Sequence, residues 1–172
     1  MKRFHCLLPL AIAVMAFGSH GAGATTVIGD LNNFDTLNDT GQVCYGFEIE
    51  IDGIHSADVT YSFDWNHYGV PKIREDNTDP AHPKVFVRYE STKDLTGNWG
   101  ANGSFTNTAI PTITPPQGHS CTDISVNEGY EHFGVGYYGV PTTIKYNWLV
   151  DGGSGPLGYF GSPVSVAAPA WV

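Results

Sequence analysis

The sequence predicts an all-β fold, an antiparallel β-sandwich of immunoglobulin-like or jelly-roll-like type. Three observations carry that expectation: apolar and polar residues alternate at a two-residue period, 21 Gly and 11 Pro punctuate those runs, and no segment shows a helical period. Composition agrees, since 13% aromatic and 15% charged residues describe a chain too aromatic and too weakly charged to be disordered.

Residues 1–24 read as an export signal. Lys2 and Arg3 form a short positive region, and Leu7 to Phe17 is an apolar stretch interrupted only by Pro9. That stretch is too short to span a bilayer. Ala22-Gly23-Ala24 supplies the small-x-small pattern of a cleavage site, which places the cut before Thr25. Cys6 lies too early to be a lipid acceptor and leaves with the signal. A cut before His20 would instead expose an N-terminal histidine, as in copper-dependent polysaccharide monooxygenases, but would put Phe17 where a small residue belongs. The expected plan is one sandwich domain over 25–151 and a Gly/Pro/Ala-rich tail or linker over 152–172.

Without the signal, six Lys and Arg face 17 Asp and Glu, an excess of 11 negative charges. Nucleic acid is a poor partner for such a chain, because phosphate binding needs clustered basic charge. Cys44 and Cys121 then remain, an even number in an oxidising compartment, and a disulfide between them is expected. Closing a loop of that length contributes about 4 kcal/mol in the chain-entropy model.

The first strand follows from Val43, Tyr45, Phe47, Ile49 and Ile51, which alternate with Cys44, Gly46, Glu48, Glu50 and Asp52. After a turn at Asp52-Gly53, Val59, Tyr61, Phe63 and Trp65 share one face of a second strand, and the two read as an antiparallel hairpin. Asn66 to Pro83 holds Gly69, Pro71, Pro80 and Pro83 among Asn, Asp and His, the chemistry of a loop. Lys84 to Ser91 is the next strand. Ser104 to Ile113 is at most an edge strand, because Pro111 would interrupt a central one. Tyr130 to Tyr138 and the alternation of Ile144, Tyr146, Trp148 and Val150 complete the set. Tyr68-Gly69-Val70-Pro71 is echoed by Tyr138-Gly139-Val140-Pro141, and both read as strand-ending turns. The tail from Gly152 makes a linker or a weak final strand.

Asn33-Phe34-Asp35, Asn38-Asp39-Thr40-Gly41, Gly46-Phe47-Glu48-Ile49-Glu50 and Asp64-Trp65-Asn66-His67-Tyr68-Gly69 together resemble exported bacterial β-rich domains of uncharacterised function. The resemblance spans roughly residues 28–150. It implies export and a β-rich domain, and it transfers no functional residue.

Five groups of residues are candidates for chemistry. Asp30, Asn32, Asp35, Asn38 and Asp39 offer oxygen ligands at the short spacing of a calcium loop, although Phe34 breaks the EF-hand register and no Glu closes it. Asp76, Asn77 and Asp79 form a second oxygen-rich loop. Asp64, His67, His82 and His132 would form a transition-metal or acid/base group if they converged, although they match no established metal spacing. Glu48 and Glu50 share a strand face about 7 Å apart, a separation that also occurs between glycosidase carboxylates, but here within one strand. No G-x-S-x-G elbow or unpaired Cys nucleophile is expected. Finally, Tyr68, Trp99 and Tyr159-Phe160 fall outside the expected core faces, and exposed rings on a sandwich stack against sugars.

These readings add up to a secreted, periplasmic or cell-surface module that binds a glycan or a protein without catalysis, or serves a structural role. A carbohydrate-binding module is the sharper alternative and a metal-dependent hydrolase the remoter one. No transmembrane anchor is expected, and the Pro-rich intervals argue against an outer-membrane barrel.

Overall fold

The computed structural model describes residues 25–64, 68–100 and 129–167. They form ten strands: β1 (Thr26–Asp30), β2 (Asn33–Leu37), β3 (Gly46–Asp52), β4 (Val59–Asp64), β5 (Lys72–Asp76), β6 (Lys84–Glu90), β7 (Tyr130–Tyr137), β8 (Thr143–Val150), β9 (Gly158–Tyr159) and β10 (Val164–Ala167). A small sheet runs in the order β1-β2-β7-β4, and a large one in the order β10-β8-β3-β6-β5 with β9 also on β8. All strand pairs are antiparallel. The two sheets pack face to face, as expected of an all-β sandwich.

The core is a layer of rings between the sheets. Phe47 of β3 stacks on Phe133 of β7 at 4.8 Å between centroids and 14° between planes. Tyr89 approaches Phe133 at 4.7 Å, Phe34 at 5.7 Å, and Trp148 meets Phe47 edge-on at 5.0 Å. Such offset and edge-on geometries suit the quadrupoles of aromatic rings. Trp148 is fully buried, so its Nε1–H needs an acceptor, and it donates to the Leu37 carbonyl of the opposite sheet at 2.9 Å.

Two expectations are corrected by the topology. β3 and β4 are not a hairpin: β3 lies in the large sheet and β4 in the small one, joined through a 3₁₀ turn at Ser56–Asp58. The two-residue period places side chains on faces and does not say which sheet a strand joins. The Asn66 to Pro83 interval is not all loop, because Lys72–Asp76 pairs with β6 along its length. Charged residues fill this edge strand, which discourages pairing with another chain. Beyond Asp151, where the sequence allows a linker or a weak final strand, β9 and β10 both pair with β8 and Leu157 is buried.

The two Tyr-Gly-Val-Pro segments do the same job. Each carries the chain from the small sheet to the large one, β4 to β5 and β7 to β8, with Gly69 at φ 79° and Gly139 at φ 94°. Those left-handed values favour glycine. Expected strand Ser104 to Ile113, Trp65, the export segment and Cys121 lie outside the described residues.

β7 carries glycine at 134 and 136 in mid-strand, and both positions are filled from β4. A Cβ on Gly134 would lie 2.2 Å from the Phe63 ring and 2.3 Å from the Asn32 carbonyl oxygen. Gly134→Ala is therefore expected to destabilise the fold by about 1–3 kcal/mol through overpacking. Thermal melting checks this, and an unchanged melting temperature would contradict it.

Candidate functional site

The outer face of the small sheet owes its character to one irregularity. Val59 pairs with Tyr137 and Tyr61 with Gly136, so two steps along β4 match one step along β7. The extra residue is a β-bulge at Thr60, and a one-residue slip moves following side chains to the opposite face. Val59 packs against the core, whereas Tyr61 and Phe63 turn outward over Gly136 and Gly134. The two rings are stacked, 6.3 Å between centroids and 12° between planes.

This aromatic floor has polar ends. The Tyr61 hydroxyl, on a side chain in a residue 47% exposed, donates to the Asn32 carbonyl at 3.3 Å. Beyond Phe63 lies the His132 ring at 5.4 Å, with Nδ1 2.7 Å from Oδ1 of Asp35 on β2. An open cleft of about 240 Å³ lined by Ser62, Phe63, Asp64, Gly69, Val70 and Pro71 adjoins the same strand. Unbroken alternation puts Tyr61 and Phe63 on the same face as Val59, so that pattern does not reveal the floor. The signal was present in Gly134-Val135-Gly136, since glycine inside a strand marks a close approach.

The outer face of the large sheet is ionic. Cross-strand neighbours alternate in sign: Glu48 lies beside Arg88, and Glu50 beside Lys145. Arg88 Nη1 donates to Glu48 at 3.0 Å and its Nε to Glu90 at 2.6 Å, while Glu50 Oε1 accepts from Lys145 at 2.8 Å and Lys84 at 3.0 Å. Burial alone would raise the Glu50 carboxyl, but these lysine bonds outweigh it and hold it below its ordinary range. Glu48 is only 2% exposed, covered by a strap in which Tyr159 donates its hydroxyl to Glu48 and Leu157 accepts from Arg88 Nη2 at 2.6 Å. The paired-carboxylate idea thus meets two acids already neutralised by cations.

The other expected site residues fall as follows. Tyr68 is not an exposed ring: it is buried and stacks on Phe133 at 6.3 Å. Its backbone N–H and that of Gly69 are both taken by Asp64, the latter at 2.9 Å. Trp99 is half-buried, with the Lys93 ammonium 4.7 Å from its ring centroid. The Tyr159 ring stays half-exposed, and burial followed by the Glu48 bond pushes its hydroxyl up to about 12.

The acidic loop is drawn out along the β1–β2 hairpin. Asp30 caps Asn32 N–H at the tip, and Asp39 accepts from Thr26 at the other end, roughly 13 Å away by strand rise. Asp35 pairs with His132, and Asn38 is consumed by Thr40, Gln42 and Cys44. Asp76 and Asp79 bind their own turns, at Thr78 and at Ala81 and His82. Asp64, His82 and His132 are each occupied in different places, and His67 lies outside the described residues. No three His, Cys, Asp or Glu side chains converge on a metal-sized site among the described residues.

The expected disulfide is not seen. Cys44 is a buried free thiol, and it points into a polar nook where its Sγ lies 3.2 Å from the Asn38 amide oxygen and 3.3 Å from the Thr40 hydroxyl. Burial above all pushes this thiol up to about 12. No described helix is long and apolar enough to cross a membrane, which says nothing of strands.

Two outcomes are expected. Glu50, Glu75 and Glu90 all have lowered carboxyl values, with Glu75 held down at about 2 by His55 and Ser56. A carboxyl lowered by folding stabilises above its unfolded value and loses that contribution as pH falls through the folded one. The melting temperature should accordingly hold near neutrality and decline below about pH 4.5, and Glu50→Gln should shallow the decline. A thiolate at Cys44 is scarce at pH about 8, so mass-mapped alkylation of native protein should leave Cys44 unlabelled until the chain is unfolded. Comparisons with family models, curated proteins and solved structures found no match for this chain.

Proposed function

We propose that this chain is an exported, non-catalytic module that binds glycan on the outer face of its small sheet. The observation that carries the reading is the outward pair of near-parallel rings, Tyr61 and Phe63, 12° between planes, turned outward by a bulge, with Tyr61 about half exposed. The rings cover Gly134 and Gly136 on one side, and the other side of Tyr61 stays open to solvent. Sugar rings present flat faces of C–H groups that stack on such a surface, and their hydroxyls need polar neighbours at its margin. Asp35, His132 and Asn32 stand at that margin. Export is supported by the charge, apolar run and small-x-small ending of residues 1–24.

Retention on immobilised cellulose, xylan, chitin, β-glucan and mannan tests the reading, with affinity then measured by calorimetry. Tyr61→Ala should weaken binding to the retained glycan roughly threefold to tenfold, the value of one aromatic stacking contact, while Tyr61→Phe retains most of it. Both variants should melt near the parent, because Tyr61 is half-exposed. Failure of the parent protein to bind any of the five, or equal binding by Tyr61→Ala, would sink the proposal.

A further inference from the structure

Tyr138 stands one step beyond the floor and on the same side of the sheet. β7 alternates around Gly136: Val135 and Tyr137 pack against the core, while Gly134 and Gly136 lie under the rings of Phe63 and Tyr61 on the other face. The pairing with the β4 segment does not stop at Tyr137, because the Tyr138 N–H donates to the Asp58 carbonyl at 2.8 Å. The two-residue period therefore gives position 138 to the outer face, together with Gly136. The Tyr138 side chain is not spent on the fold, since the residue is 73% exposed.

Three aromatic positions thus share one row: Phe63, Tyr61 and Tyr138. Phe63 is paired with Gly134 and Tyr61 with Gly136, which makes Tyr138 the diagonal neighbour of Tyr61. Diagonal neighbours on one face stand about 7–8 Å apart, within reach of aromatic side chains. From Gly134 to Tyr138 the row covers about 13 Å of strand. The bulge also brings a hydroxyl into the row. Oγ1 of the exposed Thr60 lies 2.7 Å from where a Cβ on Gly136 would stand, beside the Tyr61 ring. Along the other margin runs the Asn32 carbonyl that accepts from Tyr61.

From this alignment we infer that the site takes several consecutive sugars of a linear polysaccharide, with Tyr138 as its third stacking ring, and not a single sugar. The inference rests on the glycan reading of Tyr61 and Phe63 above and deepens it. Pyranose rings have apolar C–H faces and hydroxyl edges, which match a row of rings with hydroxyl and carbonyl groups beside them. One sugar covers one ring. A chain already stacked on Tyr61 presents its next sugars to Tyr138 and Phe63 at high effective concentration, so each added contact costs little further freedom. Tyrosine suits the outermost place, because two side-chain torsions set a large rigid contact at small entropic cost.

Calorimetry with cello-, xylo-, chito-, laminari- and manno-oligosaccharides tests the inference, each as hexasaccharide and as disaccharide, the latter read from its displacement of the former. In a series that binds, the hexasaccharide should bind roughly tenfold tighter than the disaccharide or better. Tyr138→Ala should weaken the hexasaccharide roughly threefold to tenfold and leave the disaccharide within about twofold, whereas Tyr138→Phe keeps the length preference. Val140→Ala, an exposed apolar residue of the neighbouring turn, should change neither affinity. Both alanine variants should melt with the parent, because both side chains are exposed. Equal affinity for the two lengths, loss of both lengths alike in Tyr138→Ala, no loss of either, or an equal loss in Val140→Ala overturns the three-ring row while the Tyr61 and Phe63 platform stands. Absence of binding in all five series overturns both.

Discussion

The stack of Phe47 on Phe133 is the contact from which the rest of the molecule takes its bearings. It joins a central strand of each sheet, and the two-residue period of a strand then dictates what every neighbour does. With Phe133 pointing inward, His132, Gly134 and Gly136 must point outward, and the floor for Tyr61 and Phe63 exists. With Phe47 inward, Glu48 and Glu50 must face the other way, and an ionic ladder grows around them. One buried pair of rings thus sets the chemistry of both outer surfaces.

Those surfaces are unlike in kind. On the large sheet every cation has a carboxylate within reach, Arg88 serving two, and the strap through Leu157 and Tyr159 covers the most buried acid. A partly buried pair of this type costs desolvation as well as gaining attraction, so it orders the face more than it stabilises it. The small sheet instead sets a histidine against a carboxylate, His132 Nδ1 2.7 Å from Asp35, next to the Phe63 ring.

The fold class and the strands β3, β6, β7 and β8 were legible because one face of each is buried and the alternation is clean. β1, β2 and β5 were hidden for a physical reason: Asp30, Asn33, Asp35 and the charged run Lys72-Ile73-Arg74-Glu75-Asp76 use turn-forming or edge-compatible residues in edge and near-edge strands. Tyr68 looked like an exposed loop residue because local sequence does not reveal that a loop folds its ring under the sheet edge. The floor escaped notice because Val59, Tyr61, Phe63 and Trp65 share one face only in an unbroken strand, and this strand is broken after its first residue.

That break has a consequence for how such a surface arises or disappears. Removing Thr60 would leave Val59 opposite Tyr137 and Tyr61 opposite Gly136 in a regular strand, with Tyr61 and Phe63 still facing outward. Drawing Thr60 into the ladder opposite Gly136 would do the reverse: Tyr61 and Phe63 would meet Val135 and Phe133 and turn toward an interior already filled by Phe34, Phe47, Phe133 and Tyr146. Ser62 and Asp64 would surface in their place, and Gly134 and Gly136 would lose their covering rings. The surface therefore depends on one residue staying out of the ladder, and a slip of register would remove the floor and strain the core in the same step.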